Sequence, residues 1–494
     1  MPLCLNAKAR VWFSRLACRF VFAVVLAFTL AACGATKNVP PAKTWTVFFG
    51  DLHTHCAASD GEGTPEEAYS YARDVAKVDF LALTDHNKKK LNQNAVNGVI
   101  AASKAERTQT FQPLFGQEFS TNENGNHINV FGICEPIPET LNSDFRRLYR
   151  DWLPAYTNRH PGSHVFCQFN HPSSKNKDYG ITNVTVKNIQ IQNYKGDWDS
   201  FATDAGQWVR LISLVNGPAE KKPNPPHGLH KDIIPTLVKT WLFYLDKGMH
   251  LAPTSNHDTH VESWGDLSDG RTGVWLDEPL SQSAMMTALD KGRCFATEDK
   301  NLSLWFELGG APMGTQLPDM GSTNLPIVVK VSDRDERDSR YEVEVYHDII
   351  GDGELAKLIT KGVVSGGGTY TSVFRHTRGK RELCLVHIKQ IGTEDDAWSA
   401  AVYIGIPNAT AAGITKPDAV SSPVKEEVVS EDAVTGKGEI VVEGGVKFVS
   451  SKNSNVYHYP SCPIAQRIKQ DNLRTHNEPP ENLKLHKDCK PDTH

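Results

Sequence analysis

Apolar and polar positions alternate in two distinct textures along the chain. From Val47 to Pro253, short apolar runs stand at intervals: Val47 to Gly50, Phe80 to Leu83, Leu114 to Phe119, Ile128 to Phe131, Val165 to Phe169, Val209 to Val215, and His250 to Pro253. Helical patterns lie between them, and this interleaving predicts α/β architecture. Thr64 is placed to cap a helix, Pro65 suits its first turn, and Glu67 completes a capping box. Ala68, Tyr71, Ala72 and Val75 then share one face. Further helices are expected over Ile233 to Asp246, before Gly248, and over about Ser281 to Lys291, before Gly292.

Beyond Asn301 the texture becomes short alternating runs: Leu302 to Leu308, Ile327 to Val331, Tyr341 to His347, Tyr370 to Phe374, Glu382 to Ile388 and Ala400 to Ile406. Turn-rich pieces such as Gly351-Asp352-Gly353 separate them, which predicts an antiparallel β-sandwich over 302–407. Residues 408–444 read as a flexible linker, poor in large apolar side chains. A separate, more basic module follows over 445–494.

Composition changes the picture mainly by exclusion. The chain has 494 residues, 39% hydrophobic and 22% charged, and a formal charge of −5. These values exclude a mostly disordered chain, a polytopic membrane protein and a globally basic nucleic-acid binder. Lys8, Arg10, Arg15 and Arg19 precede the apolar run Phe20 to Leu30, which suits a signal-peptide core. Leu30-Ala31-Ala32-Cys33 resembles a bacterial lipobox, so 1–32 is expected to be a leader, Cys33 a lipidated anchor and 33–43 a tether. The expected location is the cell envelope, outside the cytoplasm. Among the remaining cysteines, Cys134, Cys167, Cys294 and Cys384 stand in apolar surroundings and are expected to be core residues rather than a disulfide framework.

Histidine carries the strongest chemical signal, since 12 of the 19 fall between His53 and His260. Five predicted strands end beside metal-type donors: Asp51 to His55, Asp85-His86, Glu118, His171, and His257 to His260. His127 immediately precedes a further strand. Mixed nitrogen and carboxylate donors that converge at strand ends suit zinc, manganese or iron.

These residues strongly resemble the PHP (polymerase and histidinol phosphatase) metallohydrolase superfamily over Thr44 to Asn301. The matching motifs are Gly50-Asp51-Leu52-His53-Thr54-His55, Ser59-Asp60-Gly61, Leu83-Thr84-Asp85-His86, Gly116-Gln117-Glu118, Asn170-His171-Pro172 and Asp258-Thr259-His260. Gly270 to Trp275 and Arg293 to Asp299 look like the exported branch with carbaryl-hydrolase-like proteins. The resemblance implies a distorted seven-stranded β/α barrel over 44–301 holding two or three divalent metals. It implies that His53, His55, Glu118 and Asp258 bind one metal, that Glu118 shares a second with His127 and His171, and that Asp60, His86 and His260 hold a third. For His127 the alternatives His160 and His164 stay open. Asp85 is expected to orient an imidazole, and His257 and Cys56 to be neighbours rather than ligands. Arg271 is the candidate to hold an anionic substrate, with a structural loop role as its alternative.

The last module pairs His458 with Cys462 and His486 with Cys489, and four such donors suit a structural zinc. Val449 to Cys462 resembles an Ada-like metal-binding domain, with His486 standing where that family has its first terminal cysteine. Together these readings imply a metallohydrolase, foremost a phosphoesterase whose metals activate water against a small-molecule or nucleotide phosphate ester. Hydrolysis of a carboxylic ester, carbamate or amide is the alternative, and a non-catalytic metal-binding envelope lipoprotein is the third. The basic tail permits only a weak nucleic-acid contact.

Overall fold

The computed structural model describes residues 44–88, 90–120, 127–141, 144–172, 194, 197–219, 234–393, 395–407, 409, 448–451, 456–458, 473–476 and 484–485. The leader and Cys33 therefore lie outside the described residues, as do Cys462, His486, Cys489 and nearly all of the 408–444 linker. No helix among the described residues is long and apolar enough to cross a membrane. The chain divides into two compact units, one through Pro417 and one from Asp418.

The first unit begins with β1 (Thr46–Thr54), α1 (Pro65–Tyr71), β2 (Phe80–Leu83), α2 (Gln93–Ala105), β3 (Gln112–Phe119) and β4 (Ile128–Phe131). It continues with α3 (Phe145–Arg147), α4 (Leu153–Arg159), β5 (Phe166–Phe169), α5 (Trp198–Gly206), β6 (Val209–Asn216) and α6 (Ile234–Asp246). Then come β7 (Ala252–Asn256), β8 (Arg271–Leu276), α7 (Gln282–Asp290) and β9 (Cys294–Thr297). The capping box at Thr64 forms in both directions, with Glu67 N–H donating to Thr64 Oγ1 and Thr64 N–H donating to the Glu67 carboxylate. The expected apolar face is cut short, because Ala72–Ala76 winds as a π turn and leaves Val75 57% exposed.

These strands do not close into the seven-stranded β/α barrel expected from the motifs. They form a curled, mixed half-barrel within one 15-stranded sheet, and the chain is mostly β. Pairing is parallel from β1 through β3 and from β5 through β7, but β4 runs antiparallel to both β3 and β5. The link between Phe119 and Ile128 is too short for the helical crossover that a parallel neighbour needs. Closure fails at the other end because β1 has only two edges. One pairs with β2 and the other with β8, antiparallel from Thr46↔Leu276 to Gly50↔Thr272. The end of β7 meets β1 through the isolated bridge Thr54↔Thr259 and a few single hydrogen bonds rather than a ladder.

Past Asn301 run β10 (Ser303–Leu308), β11 (Ala311–Pro312), β12 (Gln316–Leu317), β13 (Thr323–Ser332), β14 (Arg340–Ile349) and β15 (Lys357–Ser365). β16 (Thr369–His376), β17 (Glu382–Gln390), β18 (Asp396–Ser399) and β19 (Val402–Ile404) complete the unit. A second sheet, ordered β11-β10-β13-β16, faces the part of the first that holds β14 and β17. Leu304, Phe306, Ile327 and Val329 meet Val343, Val345, Val386 and Ile388 in the shared core. The strands on either side of Asn301 belong to one fabric, since β18 pairs with β9 and carries the large sheet onward. Met285, Ala288 and Leu289 of α7 enter the same apolar core, so the half-barrel and the β-rich segment share an interior.

The second unit shows β20 (Phe448–Ser451), β21 (Val456–His458), β22 (Leu473–His476) and β23 (Lys484–Leu485) in the order β22-β20-β21-β23. His458 ends β21, opposite Val449 in the ladder.

Candidate metal centre

The half-barrel gathers its polar side chains where β1, β2, β3, β5 and β7 end. β1 is exposed at its start and wholly buried from Gly50 onward. Gly50 permits that depth, because a Cβ there would lie 2.1 Å from the Phe80 carbonyl oxygen. Alternation along β1 sends Leu52 into the apolar core and His53 toward the opposite face. Just past the strand His55 comes back to the same face, and the two Nε2 atoms lie 3.2 Å apart. The Asp60 loop folds tightly over His55: a side chain at Gly61 would lie 2.7 Å from the His55 carbonyl carbon.

Among the described residues, three overlapping groups bring donor atoms close enough for a metal ion. The first is His53, His55, Glu118 and Asp258, the second His86, Glu118 and His127, and the third His55, Asp60, His86 and His260. Eight of the nine donors anticipated from sequence therefore fall in these groups. Three details differ from the expected sets: His86 joins Glu118 and His127, His55 is shared with the third group, and His171 belongs to none of the three. His171 stands at the rim, with Nε2 3.6 Å from Glu118 and 4.0 Å from Asp258. His160 instead pairs with Glu135 and His164 with Asp290, so neither belongs to the cluster.

Glu118, fully buried, is the hub. Its Oε1 lies 3.2 Å from His53 Nε2 and 3.1 Å from His127 Nδ1, while its Oε2 lies 3.3 Å from His55 Nε2 and 3.0 Å from His86 Nδ1. Glu118 Oε2 and His86 Nδ1 are nevertheless both buried without hydrogen-bond geometry to any partner. Buried donor atoms that converge on one space and lack a hydrogen-bond partner could hold a shared metal ion. Electrostatics agree for the two carboxylates and for His127 and His260, whereas in His55 burial is outweighed by Asp258 and Glu118, which raise its pKa and whose charge a cation would offset. Burial opposes ionisation of Glu118 most strongly, yet the surrounding His53, His86 and His127 hold its carboxyl well below the usual range. Asp258 is likewise held low against burial, chiefly by His53 and a hydrogen bond with His55. Burial lowers His127 and His260, which favours the neutral imidazole that a metal requires.

Three described non-glycine residues, Lys77, Ala219 and Asp258, have positive φ, and one of them is a donor. Asp258 adopts φ 58°, unusual for a non-glycine residue, and is pinned there by its N–H donating to His53 O at 2.9 Å. Supporting side chains missed in the sequence surround these donors. Asn170 donates Nδ2–H to Glu118 Oε1 at 2.7 Å. Asn216 donates to Asp258 Oδ2 at 3.2 Å and faces His53 Nδ1 through its Oδ1. Asp51 accepts from His53 N–H at 3.0 Å and lies 3.0 Å from His257 Nδ1. Asn216 ends β6, so the strand-end rule that found the donors would also have found it, had amides been counted with acids and imidazoles.

Of the remaining expectations, Asp85 meets a different geometry, His257 and Cys56 stand as neighbours outside the donor groups as expected, and Arg271 takes the structural alternative. Asp85 orients no imidazole; it accepts from Cys56 N–H, Cys56 Sγ–H and Ser59 Oγ–H, which draws the Cys56 thiol away from the donors and into the core. His257 is a buried brace between Asp51 and the Gly270 carbonyl. Arg271 does not reach the open side of the cluster. Its guanidinium is buried and donates to Ser268 O at 2.8 Å and Gly270 O at 2.6 Å, which is the structural loop role.

No protein-family model matches the chain, and no curated protein matches it. Among solved structures it is similar to the PmoD soluble domain from Methylocystis sp. ATCC 49242 (Rockwell), at 11% identity and TM-score 0.16, over 21% of this chain and 90% of that one. It is also similar to a beta-glucosidase from Listeria innocua in complex with glucose, at 12% identity and TM-score 0.14, over 44% of this chain and 39% of that one. The chain thus spans about two fifths of the Listeria enzyme. Likenesses this slight carry no argument about fold or chemistry, which rest on the donors themselves.

Proposed function

We propose that the protein is a metal-dependent hydrolase, foremost a phosphoesterase. The observation that carries this reading is the convergence of three donor groups that share His55, His86 and Glu118. Divalent cations bound there would lower the pKa of a coordinated water and stabilise phosphoryl oxygens. Glu118 offers one oxygen to each side of the cluster, His53 and His55 set the spacing along β1, and Asp258 closes the first group. The neutral imidazoles supply donors without cancelling positive charge. Asn170 steadies Glu118 by donating to Oε1, the oxygen that also faces His53 and His127, and Asn216 steadies Asp258 by donating to Oδ2, leaving Oδ1 to face His53 and His55.

The motif resemblance to the PHP superfamily supports the same reading, within a half-barrel. Hydrolysis of a carboxylic ester, carbamate or amide is the second reading, favoured by the burial of Arg271, which leaves that guanidinium unavailable to a substrate anion. An envelope location through Cys33 and a zinc held by His458, Cys462, His486 and Cys489 belong to the proposal. The deciding experiment presents the metallated full chain with phosphate monoesters, phosphate diesters and carboxylic esters, beside a chelated control. Chelator-sensitive turnover of a phosphate ester supports phosphoesterase activity. Turnover confined to carboxylic esters moves the function to the second reading.

A further inference from the structure

With Arg271 buried, the described structure sets a different cation against the cluster. His86 ends the turn after β2, and two residues later Lys88 is held by its own N–H donating to His86 O at 2.7 Å and its carbonyl accepting from Leu91 N–H at 2.8 Å. Lys88 Nζ lies 3.7 Å from Asp60 Oδ2. Both side chains are open to solvent, at 42% and 46% exposure, whereas Glu118 is fully buried and Asp258 16% exposed. Asp60, His260 and Lys88 therefore mark the open side of the donor cluster.

An exposed lysine–carboxylate pair of this length is only weakly bound to itself. The same Asp60 carboxylate belongs to the third donor group, so its oxygens serve a cation when one is present. The Lys88 ammonium is then left beside the open side with three N–H donors and no carboxylate partner, a point charge suited to a phosphoryl oxygen.

We infer that Lys88 is the residue that recognises the substrate anion, and that the substrate is a phosphate monoester. This rests on the phosphoesterase reading. A monoester dianion has three terminal oxygens and can place one on Lys88 while the others face the donor cluster; a diester has only two and one negative charge. Lys88 is thus a specificity residue that binds substrate, while the donors of the first two groups would hold the cations that polarise the phosphoryl group.

The test uses the full chain loaded with metal, as wild type, Lys88→Ala and Lys88→Arg. Metal content is measured first, then inorganic phosphate binding by calorimetry, then KM and kcat on an aryl phosphate monoester and a diaryl phosphate diester. Lys88→Ala should keep its metal, bind phosphate about tenfold more weakly, and show a similar rise in the monoester KM with a smaller change in kcat. The diester KM should move less, and Lys88→Arg should recover most of the phosphate affinity. Unchanged phosphate affinity in Lys88→Ala at equal metal content overturns the inference, and so does an equal KM rise on both esters. A wild type that turns over no phosphate ester overturns the parent reading instead, and the phosphate titration still decides whether Lys88 holds the anion.

Discussion

Among the described residues of the unit through Pro417, the groupings of histidine and carboxylate around Glu118 and around Glu382 differ in a way that counting residues would not show. Around Glu118 the donor atoms crowd together at about 3 Å, some in hydrogen bonds such as His127 to Glu118 Oε1, yet the buried Glu118 Oε2 and His86 Nδ1, 3.0 Å apart, have no hydrogen-bond partner. Around Glu382 everything is paired. His376 bonds Glu382 through Nδ1 and Asp319 through Nε2, His347 bonds the second oxygen of Glu382, and Thr377 N–H also donates to Glu382. Gly321 and Gly379 N–H groups complete Asp319. The first cluster leaves its lone pairs facing a common space. The second spends them on internal hydrogen bonds, and its two carboxylates lie on opposite sides of the His376 ring. Convergence, rather than composition, separates a metal site from a structural network.

The strongest way to break this contrast is to remove the hub. Glu118→Gln, and likewise His53→Ala or Asp258→Ala, should lose bound metal and turnover by more than the roughly 100-fold typical of residues that only support ligands. Metal analysis of the purified variants and their hydrolysis rates check this, and full metal with full activity would refute the site. Asn170→Ala should act less severely, weakening metal affinity about 10- to 100-fold by freeing Glu118 Oε1 from its 2.7 Å donor. A competition titration against a chelator of known strength measures that change. Glu382→Gln should invert the pattern. Metal content should stay at the wild-type level, while stability in urea falls by about 1–3 kcal/mol because the buried His376 and the partly exposed His347 lose their charged acceptor.

How legible this was depends on what each feature needs. Single strands and caps are local, so β2 and β4 occur where the apolar runs place them, and the Thr64 and Ser281 caps form from side chains a few residues away. Most of the donors were legible because they stand at or just past a strand end in a recognisable motif; Asp60 lies farther along the loop after β1, and His127 precedes β4 outside the matching motifs. The sheet was not legible. Whether β1 offers its second edge to β7 or to β8 is decided by pairing across more than 200 residues, and no periodicity within β1 records it. Arg271 was left between two roles for a different reason. Its carbonyl partners, Ser268 and Gly270, are only three and one residues before it, but a residue pattern does not record how that turn folds back over the guanidinium. Asn170 lay inside a quoted motif, but an amide that serves a ligand carries no titratable signature of its own.

The smallest expected effect sharpens the comparison by using two histidines outside both clusters that titrate in opposite senses. In His250 burial, helped by the charges of Arg210 and Arg381, lowers the pKa from 6.5 to about 4, and its ring packs on Tyr403 at 4.3 Å. In His387 burial also opposes the charge, but hydrogen bonds to Asp396 at 2.8 Å and Glu344 at 3.1 Å outweigh it and raise the pKa above 6.5. For His250 the unfolded chain binds the extra proton first, so its contribution is complete above about pH 6.5 and is lost as pH falls toward about 4. For His387 the folded chain holds the proton longer, so its contribution is complete below about pH 6.5 and is lost as pH rises through the raised pKa. Urea denaturation of the chelated protein across this range, compared with His250→Gln and His387→Gln, separates the two because the shared metal donors cancel in the difference. The His250 variant should lose less stability than wild type on acidification, and the His387 variant less on alkalinisation. If both differences ran in the same direction, hydrogen bonding to carboxylates could not be what distinguishes the buried imidazoles of this fold.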